Sequence, residues 1–291
     1  MTTTLWDRWR YRRLLPAAAR SPRNGRIYAA LVARVELRRD AGRRRAACVR
    51  IARGLGCAPA EAERVFLRSL ASEAREEADS AYFMRRPHAL HAAFVVPSAF
   101  PPARETTLYV GLHLGSPVLG YLHLCHALAP DLALIARGID PANPMPVDKR
   151  RFAERKVRWT ETQAGRPFFA TDGAAMLGVR RHLRGGKPLY LLLDVPGDAV
   201  GRTADCTLFG ERVRLAAGLP TLARIAGSAV QTLAVVRTHD GFAIWPGARI
   251  ETGAAVEVQT VLDALLPFVR AHPDQWWMWP YLPACPEPGA D

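Results

Sequence analysis

Paired cysteines, long apolar runs and nucleotide-binding glycine motifs are all missing from this chain, and each absence removes a class of protein. The five cysteines (Cys48, Cys57, Cys125, Cys206 and Cys285) are odd in number and scattered, with no CxxC pair. They suggest neither a zinc site nor a disulfide framework, and a reducing cytoplasm fits them. The opening MTTTLWDRWRYRRLL has no apolar run of the signal-peptide kind. The most apolar stretch, 108–136, is interrupted by Gly111, His113, Gly115, Pro117, Gly120, His123 and His126, which makes a poor membrane span. The expectation is a cytoplasmic protein, soluble or peripheral on the inner face of the plasma membrane. There is no P-loop and no Gly-x-Gly-x-x-Gly fingerprint, no internal repeat and no low-complexity tract. No metal or bound cofactor is expected.

Acidic residues are nearly missing from the first 56 positions, which hold 15 of the 40 Lys and Arg residues against only Asp7, Glu36 and Asp40. Almost all of the formal net charge of +13 is therefore concentrated there, and the rest of the chain is close to neutral. A segment of this kind attracts polyanions: an acidic carrier protein, an anionic membrane surface or tRNA. A solvated helical face would explain the same charge.

The pattern divides the chain into a basic helical N-terminal region, 1–84, and an α/β region, 85–291, that together form one compact unit. Ile27, Leu31 and Val35 recur at helical spacing among arginines, and Pro59 opens a helix running to about Met84. Residues 85–105 are proline-rich and irregular. Beyond them, strand candidates at 107–112, 132–137, 189–193, 229–236 and 242–245 alternate with helical stretches at 117–128, 173–184, 218–227 and 256–271. This alternation predicts an α/β fold with a mainly parallel central sheet flanked by helices.

Chemistry is expected where apolar strands end. In LYVGLHLGSPVLGYLHL, 108–124, a strand ends at His113 and a helix follows. A histidine there lies at the ligand-facing edge of an open sheet and can accept a proton near neutral pH. The N–H groups of the helix start could hold a carbonyl oxygen or a phosphate. A satisfied histidine in a turn fits the same residues. Asp194, in LYLLLDVPGD, ends a second apolar strand; a turn-stabilising role, a metal role and a phosphoryl-transfer role all remain open for it. His123 and His126 share a helix face, where packing explains them better than metal binding. The tail HPDQWWMWPYLP reads as an aromatic cap on the core.

Four ordered blocks carry a resemblance. HLGSPV, 113–118, occupies the place of a His-x4-Glu/Asp motif. ARGIDPANP, 136–144, followed by RRFAERKVRW, looks like an Arg-x3-Asn-Pro block ahead of an arginine-rich helix. LYLLLDVPGD and the segment 206–236 resemble a strand ending in an acid and leading to a Phe-Phe-Gly turn. PDQWWMW, 273–279, is similar to Pro-Glu-Gln-Trp-x-Trp. Together they resemble the bacterial lipid A biosynthesis (lauroyl/myristoyl) acyltransferases of the lysophospholipid acyltransferase superfamily. The resemblance covers roughly 106–282 and implies a glycerolipid acyltransferase-like fold. It implies transfer of an acyl group from an acyl carrier protein or coenzyme A thioester to a hydroxyl or amine of a lipid or small-molecule acceptor. His113 is then the general base, and Arg137, Arg158, Gly115, Ser116, Phe209 and Gly210 are carried over as substrate-binding positions. The motif carboxylate is replaced by Val118, which cannot orient an imidazole. Asp194 is the candidate to supply that carboxylate from elsewhere. Two alternatives follow from the basic segment and from Val118: an aminoacyl-tRNA-dependent transferase on the same fold, and a non-catalytic acyl- or lipid-binding protein.

Overall fold

The structure, a computed structural model, describes residues 4–95, 107–136, 139, 145–170, 173–197, 201–251 and 256–282. Five helices come first: α1 (Leu5–Trp9), α2 (Leu15–Ala18), α3 (Pro22–Arg39), α4 (Ala41–Leu55) and α5 (Pro59–Phe83), with a π-helical turn between α1 and α2. Their ends follow local chemistry. The Ser21 hydroxyl accepts the Asn24 N–H at the start of α3, and the Asp40 carboxylate accepts the Arg43 N–H at the start of α4. Gly56, at φ +64°, closes α4 in the left-handed conformation that glycine adopts most readily.

The remaining elements are β1 (Phe94–Val95), β2 (Leu108–Gly111), α6 (Pro117–Ala127), β3 (Ala133–Ala136), α7 (Val147–Ala164), β4 (Phe169–Ala170), α8 (Gly173–Arg184), β5 (Leu189–Leu192), β6 (Thr203–Leu208), β7 (Glu211–Ala216), α9 (Leu219–Ala226), β8 (Val230–Arg237), β9 (Phe242–Ile250) and α10 (Val258–Ala271). Seven strands form a sheet in the order β1-β9-β8-β2-β5-β3-β4; all its pairings are parallel except β8 with β9. β6 and β7 form a separate antiparallel hairpin. The fold is thus α/β with a mainly parallel sheet, as the strand–helix alternation predicts.

The central strands are buried on both faces, which their nearly continuous apolar runs require. One face carries Tyr109, Tyr190, Leu233 and Val235 against Leu119, Leu122 and Leu124 of α6. Gly120 lets α6 come close, because a Cβ there would lie 2.3 Å from the Val235 side chain. The opposite face packs Leu108, Val110 and Leu189 in one cluster with α8, α9, α10 and also Ile51, Phe66 and Leu70 of α4 and α5. The N-terminal helices therefore share the main core, and several of their arginines are committed inside the protein. Arg10 is buried against Glu77 at 2.8 Å, and Arg50 bonds Glu211 and the Trp279 carbonyl, each at 2.8 Å. Among the described residues no helix is long and apolar enough to cross a membrane.

Candidate active site

β2 and β5 are parallel neighbours with Gly111 opposite Leu192, so two residues further on His113 stands opposite Asp194 at the carboxyl edge. The Leu193 N–H donates to the Gly111 carbonyl at 2.9 Å, which continues the ladder past the strands. Adjacent-strand register thus brings together two residues 81 positions apart. The His113 Nδ1 lies 2.8 Å from Asp194 Oδ1, and the His113 backbone N–H donates to the same carboxylate, at 2.9 Å to Oδ2. The Trp276 indole N–H donates to Oδ2 at 2.8 Å.

Asp194 is 1% exposed, so its charge is held in the interior by these donors. A carboxylate only accepts, so Nδ1 carries the proton and Nε2 keeps its lone pair. Nε2 has no hydrogen-bond partner among the described residues, and the imidazole is 27% exposed. Burial pulls the His113 pKa down. The charge and hydrogen bond of Asp194, with Glu73 and Glu76 of α5 behind it, more than reverse that, and the net shift is upward. Glu73 accepts the Tyr281 hydroxyl at 3.1 Å, and Glu76 accepts the Ser80 hydroxyl at 3.0 Å and pairs with Lys156.

The tail 273–279 braces the loop that carries His113. The Trp277 N–H donates to the His113 carbonyl and the Gly115 N–H to the Gln275 carbonyl, both at 3.0 Å, with Leu114 bridged to Trp276. The Trp277 ring lies 5.8 Å from the imidazole, centroid to centroid. Behind it, Trp276 packs edge-on against Trp279, and Trp279 stacks on Phe209. The aromatic tail is therefore more than a cap on the core: one of its indoles holds the buried carboxylate.

The other expected positions fall in different places. Gly115 has a structural duty: its φ is +60°, and a Cβ would lie 2.2 Å from the Val235 carbonyl oxygen. Its N–H is already used by the Gln275 carbonyl, so it is not free to donate to a ligand. Ser116 is fully buried, and its hydroxyl accepts from Arg237 Nη2 at 3.2 Å, so it too is turned inward. Phe209 and Gly210 form the tight turn between β6 and β7, at φ +51° and +80°. They line a cleft of about 590 Å³ with Arg53, Gln259 and Arg270, a lining that includes neither His113 nor Asp194. Phe209 packs against Trp276 and Trp279, the indoles behind Asp194. Arg158 is exposed on α7 with no bond to the His113–Asp194 pair, and Arg137 lies outside the described residues. Sequence reasoning missed Arg237 and the role of Trp276. Arg237 ends β8, beside β2, and the strand-end rule that found His113 also points to it.

Fold and site define an α/β protein with a carboxylate-backed histidine at the carboxyl edge of its sheet. No protein-family model matches the chain, and no curated protein sequence matches it. Among the described residues no group of three His, Cys, Asp or Glu side chains could hold a metal ion.

Proposed function

We propose that the protein is an acyltransferase of glycerolipid acyltransferase-like fold in which His113 is the general base. The observation that carries the reading is the 2.8 Å contact between His113 Nδ1 and the buried Asp194 carboxylate. It supplies from the neighbouring strand the orienting carboxylate that Val118 cannot provide. The tautomer it fixes points the Nε2 lone pair away from Asp194, and the raised pKa strengthens Nε2 as a proton acceptor.

In the reaction, Nε2 takes the proton of an acceptor hydroxyl or amine as its oxygen or nitrogen attacks the thioester carbonyl. Collapse of the tetrahedral adduct breaks the C–S bond, and the imidazolium returns the proton to the departing thiolate. Asp194 stabilises the imidazolium between the two steps. α6 starts four residues past His113, and the positive end of its dipole would favour an oxyanion developing there. An acyl carrier protein or coenzyme A supplies the thioester, and exposed N-terminal arginines suit an acidic carrier or an anionic membrane surface.

The test is thioester consumption by purified protein and its His113→Ala variant, with carrier-protein and coenzyme A thioesters and pooled hydroxyl and amine acceptors. Acceptor-dependent thiol release that disappears in the variant is expected. Turnover by the wild type that survives in His113→Ala would remove the histidine from the mechanism. A wild type inert across the panel that binds tRNA with steep salt dependence would move the donor to an aminoacyl ester.

A further inference from the structure

A second cleft, about 300 Å³, lies between α3, α5 and the C-terminal turn, lined by Arg26, Arg68, Arg75 and Arg237 with Ser72 and Asp274 among them. Its charge is not balanced. Asp79, behind it, pairs with both Arg75 and Arg237, and Asp274 adds one more negative charge, which leaves two positive charges in excess. Arg26 and Arg68 are exposed and have no acidic partner within 4 Å among the described residues. Arg75 is held in place: Nε donates to Asp79 at 2.9 Å and Nη1 to the Pro22 carbonyl at 2.6 Å. Gly25 makes room for it, since a Cβ there would lie 3.3 Å from the guanidinium carbon.

Two donors in this lining are unused. The Ser72 hydroxyl and the Arg237 Nε are buried without a hydrogen-bond partner among the described residues, and Ser72 is 9% exposed. A buried donor left unpaired is costly, and because both atoms are closed off here, an accepting ligand relieves that cost only with a small shift of the two side chains. Burial lowers the Arg75 pKa; Asp79 opposes this, and the nearby charges of Arg237 and Arg26 add to the lowering. An anion would relieve this crowding as well.

The cleft adjoins the candidate active site. Arg237 bonds the Ser116 hydroxyl, three residues from His113, and Gln275 grips the Arg237 backbone through both its amide groups while its own carbonyl holds Gly115. We propose that this cleft is a phosphate-binding subsite, in which Arg26, Arg68, Arg75 and Arg237 hold a phosphate group of a substrate of the His113 site. It rests on the acyl-transfer reading only in assigning that phosphate to a substrate. The phosphate belongs either to a phosphopantetheine-type donor or to a phosphorylated acceptor. Guanidinium groups match phosphate oxygens with paired N–H donors, and four of them around one small cleft suit a doubly charged group better than a carboxylate.

The experiment titrates the full chain with inorganic phosphate against potassium chloride of equal ionic strength, following tryptophan fluorescence and calorimetry. Saturable phosphate binding is expected, weakened about tenfold or more in Arg26→Glu and Arg68→Glu, each an exposed position whose change leaves the core intact. Arg38→Glu is the control; it lies 12 residues along α3 from Arg26, about 18 Å away, and should bind like wild type. Comparing phosphopantetheine with pantetheine, and glycerol 3-phosphate with glycerol, then separates donor from acceptor: the partner that owns the site loses about tenfold in affinity with its phosphate. Phosphate that binds no better than chloride, or as tightly in both glutamate variants as in wild type, overturns the proposal. Phosphate binding without thioester turnover keeps the subsite and removes acyl transfer; turnover with no phosphate binding does the reverse.

Discussion

Two groups of histidines lie close together in the chain and behave in opposite ways. His113 stands against the Asp194 carboxylate, and its pKa is raised even though burial works against it. His91, His123 and His126 gather near one another, and none of the three pairs with a carboxylate among the described residues. The rings of His91 and His126 stack at 3.8 Å, and His123 stacks on Phe94 at 4.6 Å. Burial, followed by the charges of His91 and His126, pushes His123 down to about 4; burial and then His126 also lower His91. Both His91 and His123 have a buried Nδ1 with no partner among the described residues. His91 and His123 are therefore pushed toward the neutral form, and the exposed His126 stacks on His91. A single histidine with one carboxylate is prepared to take up a proton. What separates a histidine with a raised pKa from those with lowered ones here is the partner, not the number of rings.

The strongest way to break this contrast is Asp194→Asn. Without the carboxylate, burial is opposed only by the smaller contributions of Glu73 and Glu76, so the His113 pKa should fall, toward the behaviour of His123. The amide also stops fixing the tautomer. Thioester turnover is expected to fall by about 10³- to 10⁴-fold, close to the loss in His113→Ala. Ring-nitrogen NMR titration of His113 provides the second readout. A His113 pKa unmoved by Asp194→Asn would show that the pairing has no electrostatic consequence.

That pairing was only half legible in the sequence. His113 and Asp194 could each be read as the end of an apolar strand, and Asp194 could be named as the substitute for the carboxylate that the resemblance implies at position 118. Their direct opposition depends on β2 and β5 being neighbours in register, which no local pattern encodes. Trp276, 82 residues from Asp194, was visible only as part of an aromatic cluster. The central strands and the helix at 117–128 were legible as nearly continuous apolar runs, and the helices at 173–184, 218–227 and 256–271 as amphipathic periods. The hairpin of β6 and β7 was missed as strands because its outward residues, such as Thr203, Arg212 and Arg214, are polar and its buried side is short. β1 and β4, two residues each, are too short to show any period.

The two histidine groups should also leave opposite marks on stability. His123 has a depressed pKa, so it takes up protons more readily unfolded than folded. Its contribution is intact above about pH 6.5 and is lost as pH falls from there toward 4, by up to about 3 kcal/mol. His113, with a raised pKa, contributes fully below about pH 6.5 and loses that contribution as pH rises through its folded value. Denaturant unfolding of His123→Phe against wild type tests the first effect. The variant keeps the stack on Phe94 and should gain relative stability steadily between pH 6.5 and 4. A difference that stays flat across this window would mean His123 titrates alike in both states.

A smaller effect is expected from Trp276→Phe, which keeps an aromatic ring near Trp279 but removes the N–H donated to Asp194 Oδ2. The loss of one charge-assisted bond to a buried carboxylate corresponds to about 1–3 kcal/mol. Activity should fall about tenfold with KM little changed, because the tryptophan positions the carboxylate and does not reach substrate. Asp194 keeps its bonds to the His113 ring and backbone, so the loss must stay well below that of Asp194→Asn. Equal losses in the two variants would show that the indole, not the His113 contact, fixes the carboxylate.

The smallest effect should come from restoring the acid of the motif with Val118→Glu. An imidazole has one Nδ1, and in His113 that nitrogen and the backbone N–H are both already engaged by Asp194. A second carboxylate nearby would add like-charge repulsion to a buried anion without a free donor to receive it. Turnover within a few-fold of wild type is therefore expected, with no gain, in a side-by-side thioester assay. A large increase would mean that Asp194 serves the histidine poorly. A large fall with the fold retained would mean that Val118, half-buried at the start of α6, lines the path to Nε2. The near-neutral outcome is what separates a histidine already served by a carboxylate on the next strand from one that lacks a working partner.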